Sequence, residues 1–130
     1  MRNYAVISAM AVALSSVALA QSPWIFQRGV LNAASGMPQG LPGGGIARGS
    51  IFSIYGTNLG PATPAKATSY PLSTSLGGVT ISAFVGTQSV AVIPIYVSAG
   101  QINAIMASNA PLGMQSLQVT YNGSKAIRRR

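Results

Sequence analysis

The sequence has 130 residues, a net charge of +8 from eight Lys and Arg, and no Asp, Glu, His or Cys. These absences exclude a carboxylate pair, a Ser-His-Asp triad, the usual metal-ligand sets and any disulfide. We therefore predict that the protein is not an enzyme, with no catalytic, cofactor-binding or metal-binding residues. A Ser–Lys enzyme would need a buried Lys, whereas Lys66 and Lys125 fall in a predicted loop and a predicted tail.

The positive charge reflects the missing acids more than a basic face. Charged residues make up only 6% of the chain. Half of them crowd into the last six positions, as Lys125, Arg128, Arg129 and Arg130. Because a phosphate-binding surface normally spreads Lys and Arg over one side of a domain, we predict no specific nucleic-acid partner.

Residues 1–20 have the pattern of a helical secretory signal peptide. Arg2 supplies the positive start, the run Tyr4–Leu14 is apolar, and small residues at Ala18 and Ala20 place cleavage before Gln21. The alternative is a transmembrane helix, but the apolar run is shorter than the roughly 20 residues that a span requires. We expect a secreted or cell-envelope protein (periplasmic or extracellular), with no stable membrane span once the leader is removed.

Residues 21–49 are predicted to be an N-terminal segment with one short strand and a loop. The strand falls within Trp24–Ser35, and Gly36–Gly49 is a loop because its glycines and prolines disfavour the interior of any element. A phosphate-binding interpretation of the glycines would need a following helix, and no helical pattern follows.

Residues 50–124 alternate between apolar and polar side chains in short segments separated by Gly, Pro and Asn. Period-2 alternation gives a strand one buried and one solvated face. In this way Val79, Ile81, Ala83 and Val85 are predicted to face inward, as are Leu117, Val119 and Tyr121. The predicted strands are Ser50–Tyr55, Leu76–Val85, Val90–Ser98, Gln101–Ala107 and Met114–Tyr121, with Pro94 marking an edge or a bulge. The pattern predicts an all-β, immunoglobulin-like β-sandwich.

The chain leaves little room after its last predicted turn. Asn122-Gly123 is a strong type I′ hairpin signal, but only a basic tail, residues 125–130, follows the sandwich. We therefore expect the last strand of the sandwich to be missing, which would leave an open edge at Met114–Tyr121 for a strand-addition partner. The tail is either a solvated stub or an attachment point for something acidic.

Three motifs resemble a known family. The segments GSIFSIYGTNL (49–59), YPLSTSLGGV (70–79) and YVSAGQIN (96–103) are similar to those of IPT/TIG domains. The similarity is closest to a domain of unknown function near the C-termini of large secreted proteins of soil bacteria. It covers about Gly29 to Gly123 and implies a bacterial, cell-surface or secreted immunoglobulin-like domain without catalytic residues.

These observations favour an exported, non-catalytic module that acts as a spacer, an adhesion domain or a protein-interaction domain. The alternatives are an extracellular carbohydrate-binding module and a truncated gene fragment without independent function. The candidate interaction surface comprises Trp24, Tyr96, Gln101 and Asn103, with a protein or a polysaccharide as partner. An aromatic platform for sugars would draw on Tyr55, Phe84, Tyr96 and Trp24, while the two amides are also explained by hydrogen bonds to neighbouring loops.

Overall fold

The fold, described by a computed structural model over residues 21–128, is built from nine β-strands. The predicted signal peptide, with Ala18 and Ala20, lies outside the described residues. The strands are β1 Trp24–Asn32, β2 Ile51–Thr57, β3 Ala65–Lys66, β4 Ser75–Leu76, β5 Val79–Val85, β6 Gln88–Val97, β7 Gln101–Ile105, β8 Ser116–Tyr121 and β9 Ser124–Arg128. This part of the chain has no helix long and apolar enough to cross a membrane.

Antiparallel pairing joins the main strands in the order β1-β2-β7-β6-β5-β8-β9, with β3 beside β6 and β4 beside β5. The first half of β6 pairs with β5 and its second half with β7, so this strand passes from one sheet to the other. The first sheet comprises β1, β2, β3, β7 and the second half of β6. The second sheet comprises β4, β5, β8, β9 and the first half of β6. The predicted all-β, sandwich-like architecture is confirmed.

The core lies between the inner faces of the two sheets. Alternate residues of β5, β7 and β8 are buried, as a period of two requires. The buried side chains of the main strands include Phe52, Ile54, Val79, Ile81, Ala83, Ile102, Ala104, Leu117 and Val119. The inward orientation predicted for β5 and β8 is therefore correct, except that Val85, at the end of β5, is exposed and Tyr121, at the end of β8, is half-buried.

The expectation that the last strand is missing is wrong. Residues 124–128 form β9, which pairs with β8 from Tyr121↔Ser124 to Leu117↔Arg128. Asn122 and Gly123 have φ of 47° and 83°, the left-handed conformations that a type I′ turn needs. β8 therefore has β5 on one side and β9 on the other, and the edge predicted for strand addition is occupied by the chain itself.

Two predicted elements differ from the structure because of backbone irregularities. Leu76–Val85 is not one strand, since Gly77 and Gly78 turn the chain at φ of 56° and 80° between β4 and β5. β1 is longer than expected and bulges between Ile25 and Val30, where Arg28 has a φ of 61°. The bulge predicted at Pro94 is present, between Pro94 and Tyr96.

Candidate interaction surface

The residues predicted to form an interaction surface lie on the outer face of the first sheet. Tyr96 is directly opposite Asn103 on the neighbouring strand, and Gln101 is two residues from Asn103 on β7. Trp24 lies on the same face, opposite Thr57 at the end of β2. The structure therefore brings three of the four residues together and places Trp24 at one corner of the face.

A continuous row of paired residues crosses this face through five strands. Lys66 of β3 is opposite Tyr96, Tyr96 opposite Asn103, Asn103 opposite Ser53, and Ser53 opposite Leu31. We call these five residues the central row. Because neighbouring strands lie about 4.8 Å apart, the row is about 19 Å long.

Hydrogen bonds around one amide oxygen hold Ser53 and Asn103 of the central row and the neighbouring Gln101. Ser53 Oγ donates to Asn103 Oδ1 at 2.9 Å, and Gln101 Nε2 donates to the same atom at 3.0 Å. The turn that precedes β7 is fixed as well, since Gln101 N donates to Ser98 Oγ at 3.1 Å and Ser98 Oγ donates to Gln101 O at 3.0 Å. This arrangement directs the Asn103 Nδ2 group away from Ser53 and Gln101.

The amino group of Asn103 is left available for an external acceptor. Within residues 21–128 it donates to no protein atom, and it is not among the buried polar atoms that lack a partner. Asn103 is half-buried, so its side chain is held in place while its Nδ2 donors remain accessible. An amide fixed in this way is prepared to donate without first losing rotamer freedom.

Apolar residues flank the central row on one side. Ile93, Ile105 and Ile51 are opposite one another on β6, β7 and β2. Ile51 is 46% exposed, and the other two isoleucines are half-buried. We call these three residues the aliphatic row.

Aromatic residues lie on the other side of the central row and at the corner. Tyr55, opposite Gln101, is 37% exposed. Trp24 is 65% exposed, and Phe26, in the β1 bulge, is 44% exposed. The face thus carries exposed apolar area that the fold itself does not cover.

Phe84 does not belong to this surface, so the four aromatic residues considered as a sugar-binding platform do not lie on one face. It lies on the outer face of the second sheet, opposite Ser116 and Ser89. Because its neighbour Ala83 is buried, strand alternation predicts that Phe84 faces outward. Alternation does not predict which of the two sheets the strand belongs to. The rest of this second outer face is mainly hydroxyl and amide side chains, including Thr80, Ser82, Ser116, Gln118 and Thr120, with the exposed Ile127 opposite Gln118.

The charged residues of the first sheet lie at its margins. Lys66 ends the central row, and Arg28 lies in the β1 bulge. Arg48 is engaged elsewhere, since its Nε donates to the carbonyl oxygen of Ala110 at 2.6 Å. The sequence contains no Asp or Glu, so no acidic side chain of the chain can neutralise these cations.

Some residues of this face were not predicted as site residues. Ser53, Lys66 and the aliphatic row form no recognisable sequence motif, because their proximity depends on the pairing of strands far apart in sequence.

Gln21, predicted to follow the cleavage site, is exposed, and its Oε1 accepts a hydrogen bond from Asn58 Nδ2 at 3.1 Å.

Two sequence comparisons yield no relative. A scan against protein-family models finds no match for the chain, and a search of curated proteins finds no similar sequence. The likeness to IPT/TIG domains therefore stays a prediction, and the functional argument depends on the geometry of the surface.

Proposed function

We propose that this chain is an exported, non-catalytic, immunoglobulin-like module that binds a partner protein through the outer face of its first sheet. One observation carries the proposal: Ile51, Tyr55 and Trp24 are exposed together on one sheet face. Apolar side chains grouped on one exposed face of a domain are typical of an interaction site.

The composition of the face supports this function. Aromatic and aliphatic residues occupy it, its centre carries no charge, and Lys66 and Arg28 lie at its margins. Protein interfaces have the same arrangement, since charged residues are depleted at their cores and aromatic residues and Arg are enriched. The outer face of the second sheet, rich in hydroxyl groups, is typical of a solvated surface.

Two further parts of the proposal depend on the sequence. The absence of Asp, Glu, His and Cys removes the side chains on which most acid–base, nucleophilic and metal-dependent catalysis relies. The signal-peptide pattern in residues 1–20 supports export to the cell envelope or the medium. A module of this kind serves adhesion or assembly outside the cell.

Site-specific photo-crosslinking tests the proposal. A benzophenone amino acid replaces Tyr55 on the first sheet or, as the matched control, Phe84 on the second sheet, and the variants are produced in the organism that makes the protein. We expect a discrete adduct with the same protein from position 55 in repeated experiments, and none from position 84. If both positions give the same products, or neither gives any, the proposal fails and a spacer role replaces it.

A carbohydrate-binding module is the second candidate. It is favoured by one observation, the presence of Trp24 and Tyr55 on the same face as the amides of Gln101 and Asn103. Aromatic faces bind the apolar faces of sugar rings, and amides recognise hydroxyl groups. Retention on insoluble polysaccharides that Trp24→Ala abolishes and Phe84→Ala leaves intact would support it, and no retention on any polymer would remove it.

A further inference from the structure

We propose that the end of the central row, Lys66–Tyr96–Asn103, binds a carboxylate, and that the partner is therefore an acidic polypeptide. The inference rests on the proposed function, because it assumes that this face is the binding surface. It adds the chemical class of the partner and the residues that recognise it.

The three side chains form a run of hydrogen-bond donors. Lys66 offers an ammonium group, Tyr96 a hydroxyl group and Asn103 an amino group, on three adjacent strands. The amide oxygen of Asn103, which would otherwise add a strong acceptor to the run, is taken up by Ser53 and Gln101. A site that offers mainly donors next to a cation is complementary to an anionic acceptor, and charge-assisted hydrogen bonds to carboxylates are the strong ones.

The charge of the chain also selects an acidic partner. Because the sequence has no Asp or Glu, no carboxylate side chain of the protein competes for Lys66. A second copy would bring another net charge of +8 and no carboxylate side chain, so the donors would stay unmatched. An acidic partner is instead attracted, and like-charged partners are repelled.

The aliphatic row favours a polypeptide over an acidic polysaccharide. Ile105 is on the same strand as Asn103, two residues away on the same face, and it is opposite Ile51 and Ile93. Isoleucine provides no aromatic face for a sugar ring, and a sugar hydroxyl buried against it would lose its hydrogen bonds to water. A polypeptide with apolar residues next to Asp or Glu matches both rows at once.

A titration of the ¹⁵N-labelled full chain by NMR tests the site directly. The probe is a random copolymer of Glu and Tyr, and a copolymer of Lys and Tyr is its charge-reversed control, both at about 0.15 M salt, where long-range attraction is screened. We expect saturable shifts of the Asn103 side-chain amino signals and of the Lys66 and Tyr96 backbone amides with the acidic copolymer only. The Gln118 side-chain signals, from the second sheet, should not move.

An isosteric variant isolates the free donor. Asn103→Asp keeps an oxygen that accepts from Ser53 and Gln101, but it replaces the amino group by a second, negatively charged oxygen. We expect the affinity for the acidic copolymer to fall by about tenfold or more, as for the loss of a hydrogen bond to a charged group. Gln118→Glu, which changes the net charge equally on the second sheet, should change the affinity by less than about twofold, as for a distant screened charge.

A second pair of variants tests the cation. Lys66→Gln should weaken binding of the acidic copolymer by about threefold to fivefold, the upper part of the range for an exposed ion pair. Lys125→Gln removes the same charge from β9, in the second sheet. The affinity should stay within about twofold, because salt screens the attraction between Lys125 and a ligand bound on the first sheet.

Several results would overturn the inference. Equal losses from Asn103→Asp and Gln118→Glu would mean that net charge alone drives binding. Binding of polygalacturonate at the same residues with equal or higher affinity would assign the site to a polysaccharide. Dimerisation that shifts the same signals would assign the face to a second copy. If no copolymer binds while the position-55 adduct persists, the inference fails and the proposed function stands, whereas the loss of both defeats both.

Discussion

The carbonyl oxygen of Trp24 lies only 2.0 Å from the point that a Cβ atom would occupy on Gly56. The register of β1 and β2 causes this contact, because Trp24 and Ile25 are opposite Thr57 and Gly56. Gly29 is placed in the same way, with the carbonyl oxygen of Tyr55 2.6 Å from its Cβ position. Two glycines therefore allow β1 to lie close to β2, one opposite the start of the bulge and one within it.

Gly56→Ala should separate β1 from β2. A methyl group cannot fit 2.0 Å from a backbone oxygen, so the strands must move apart. We expect the free energy of unfolding to fall by about 2–4 kcal/mol, in the range of overpacking and backbone displacement. Denaturant unfolding measures this change, and the exposure of Trp24 reports on the displacement of β1.

Gly45→Ala is the matched control for this substitution. No atom lies within 4 Å of its Cβ position, and its φ is not positive. Its effect should be within about 0.5 kcal/mol of zero. A loss at Gly56 as small as that at Gly45 would show that β1 is not held against β2 as described.

Phe52→Ala and Phe84→Ala should differ in their effect on the free energy of unfolding, because one position is in the core and the other is at the surface. Phe52 is fully buried on β2, whereas Phe84 is half-buried on the outer face of the second sheet. We expect Phe52→Ala to lower the free energy of unfolding by about 3–5 kcal/mol, because it leaves a cavity between the sheets. Phe84→Ala should cost less than about 1.5 kcal/mol, since less area is lost and water fills the space. Equal losses would contradict the orientation of β5.

The sequence predicts the alternating strands well because their information is local. Ile81 and Ala83 are buried and Ser82 between them is not, as a period of two requires. Gln101 and Asn103, two residues apart, could be placed on one face for the same reason. The pairing of Tyr96 with Asn103 was harder to predict from the sequence, since it depends on the extra residue that the bulge after Pro94 inserts into β6.

The last strand could not be predicted from its own residues. In β9 only Ala126 is buried, while Lys125 is exposed and Arg128 is half-buried, so the segment has the composition of a solvated tail. What favours a strand here is the unpaired edge of β8 together with the tight turn at Asn122-Gly123. The strand therefore depends on tertiary pairing with β8, which no pattern within residues 124–128 indicates.

Ala126→Lys should detach β9, whereas Ile127→Lys should not. Ala126 is 7% exposed and opposite Val119, and Ile127 is 48% exposed. A lysine at position 126 cannot stay ionised in the core, so we expect a loss of about 2 kcal/mol or detachment of the strand. Amide hydrogen exchange of β8 measures the detachment, because its amides would lose their partners on β9.

The control and the contradicting result concern the same strand. Ile127→Lys adds an identical charge at the next residue and should leave the β8 amides protected, with a stability change within about 0.5 kcal/mol. If both variants leave exchange unchanged, Ala126 does not anchor β9. If both increase exchange, the added charge rather than the lost packing loosens the strand.

The hydrogen bond between Ser53 and Asn103 should be measurable as a coupling energy. Ser53 is 8% exposed, and its Oγ donates to Asn103 Oδ1 at 2.9 Å. We expect Ser53→Ala and Asn103→Ala each to lower the free energy of unfolding by about 1 kcal/mol, the usual net value of such a bond. Because both substitutions remove the same bond, the double variant should lose about 0.5–1 kcal/mol less stability than the sum of the two single losses.

Ser82→Ala, on the second sheet, is the control. Ser82 makes no side-chain hydrogen bond within residues 21–128, so its substitution should change the free energy of unfolding by an amount near zero. Additive losses in the double variant would show that the two side chains are not coupled. Asn103 would then not be held in the orientation that the proposed carboxylate site at Lys66, Tyr96 and Asn103 requires.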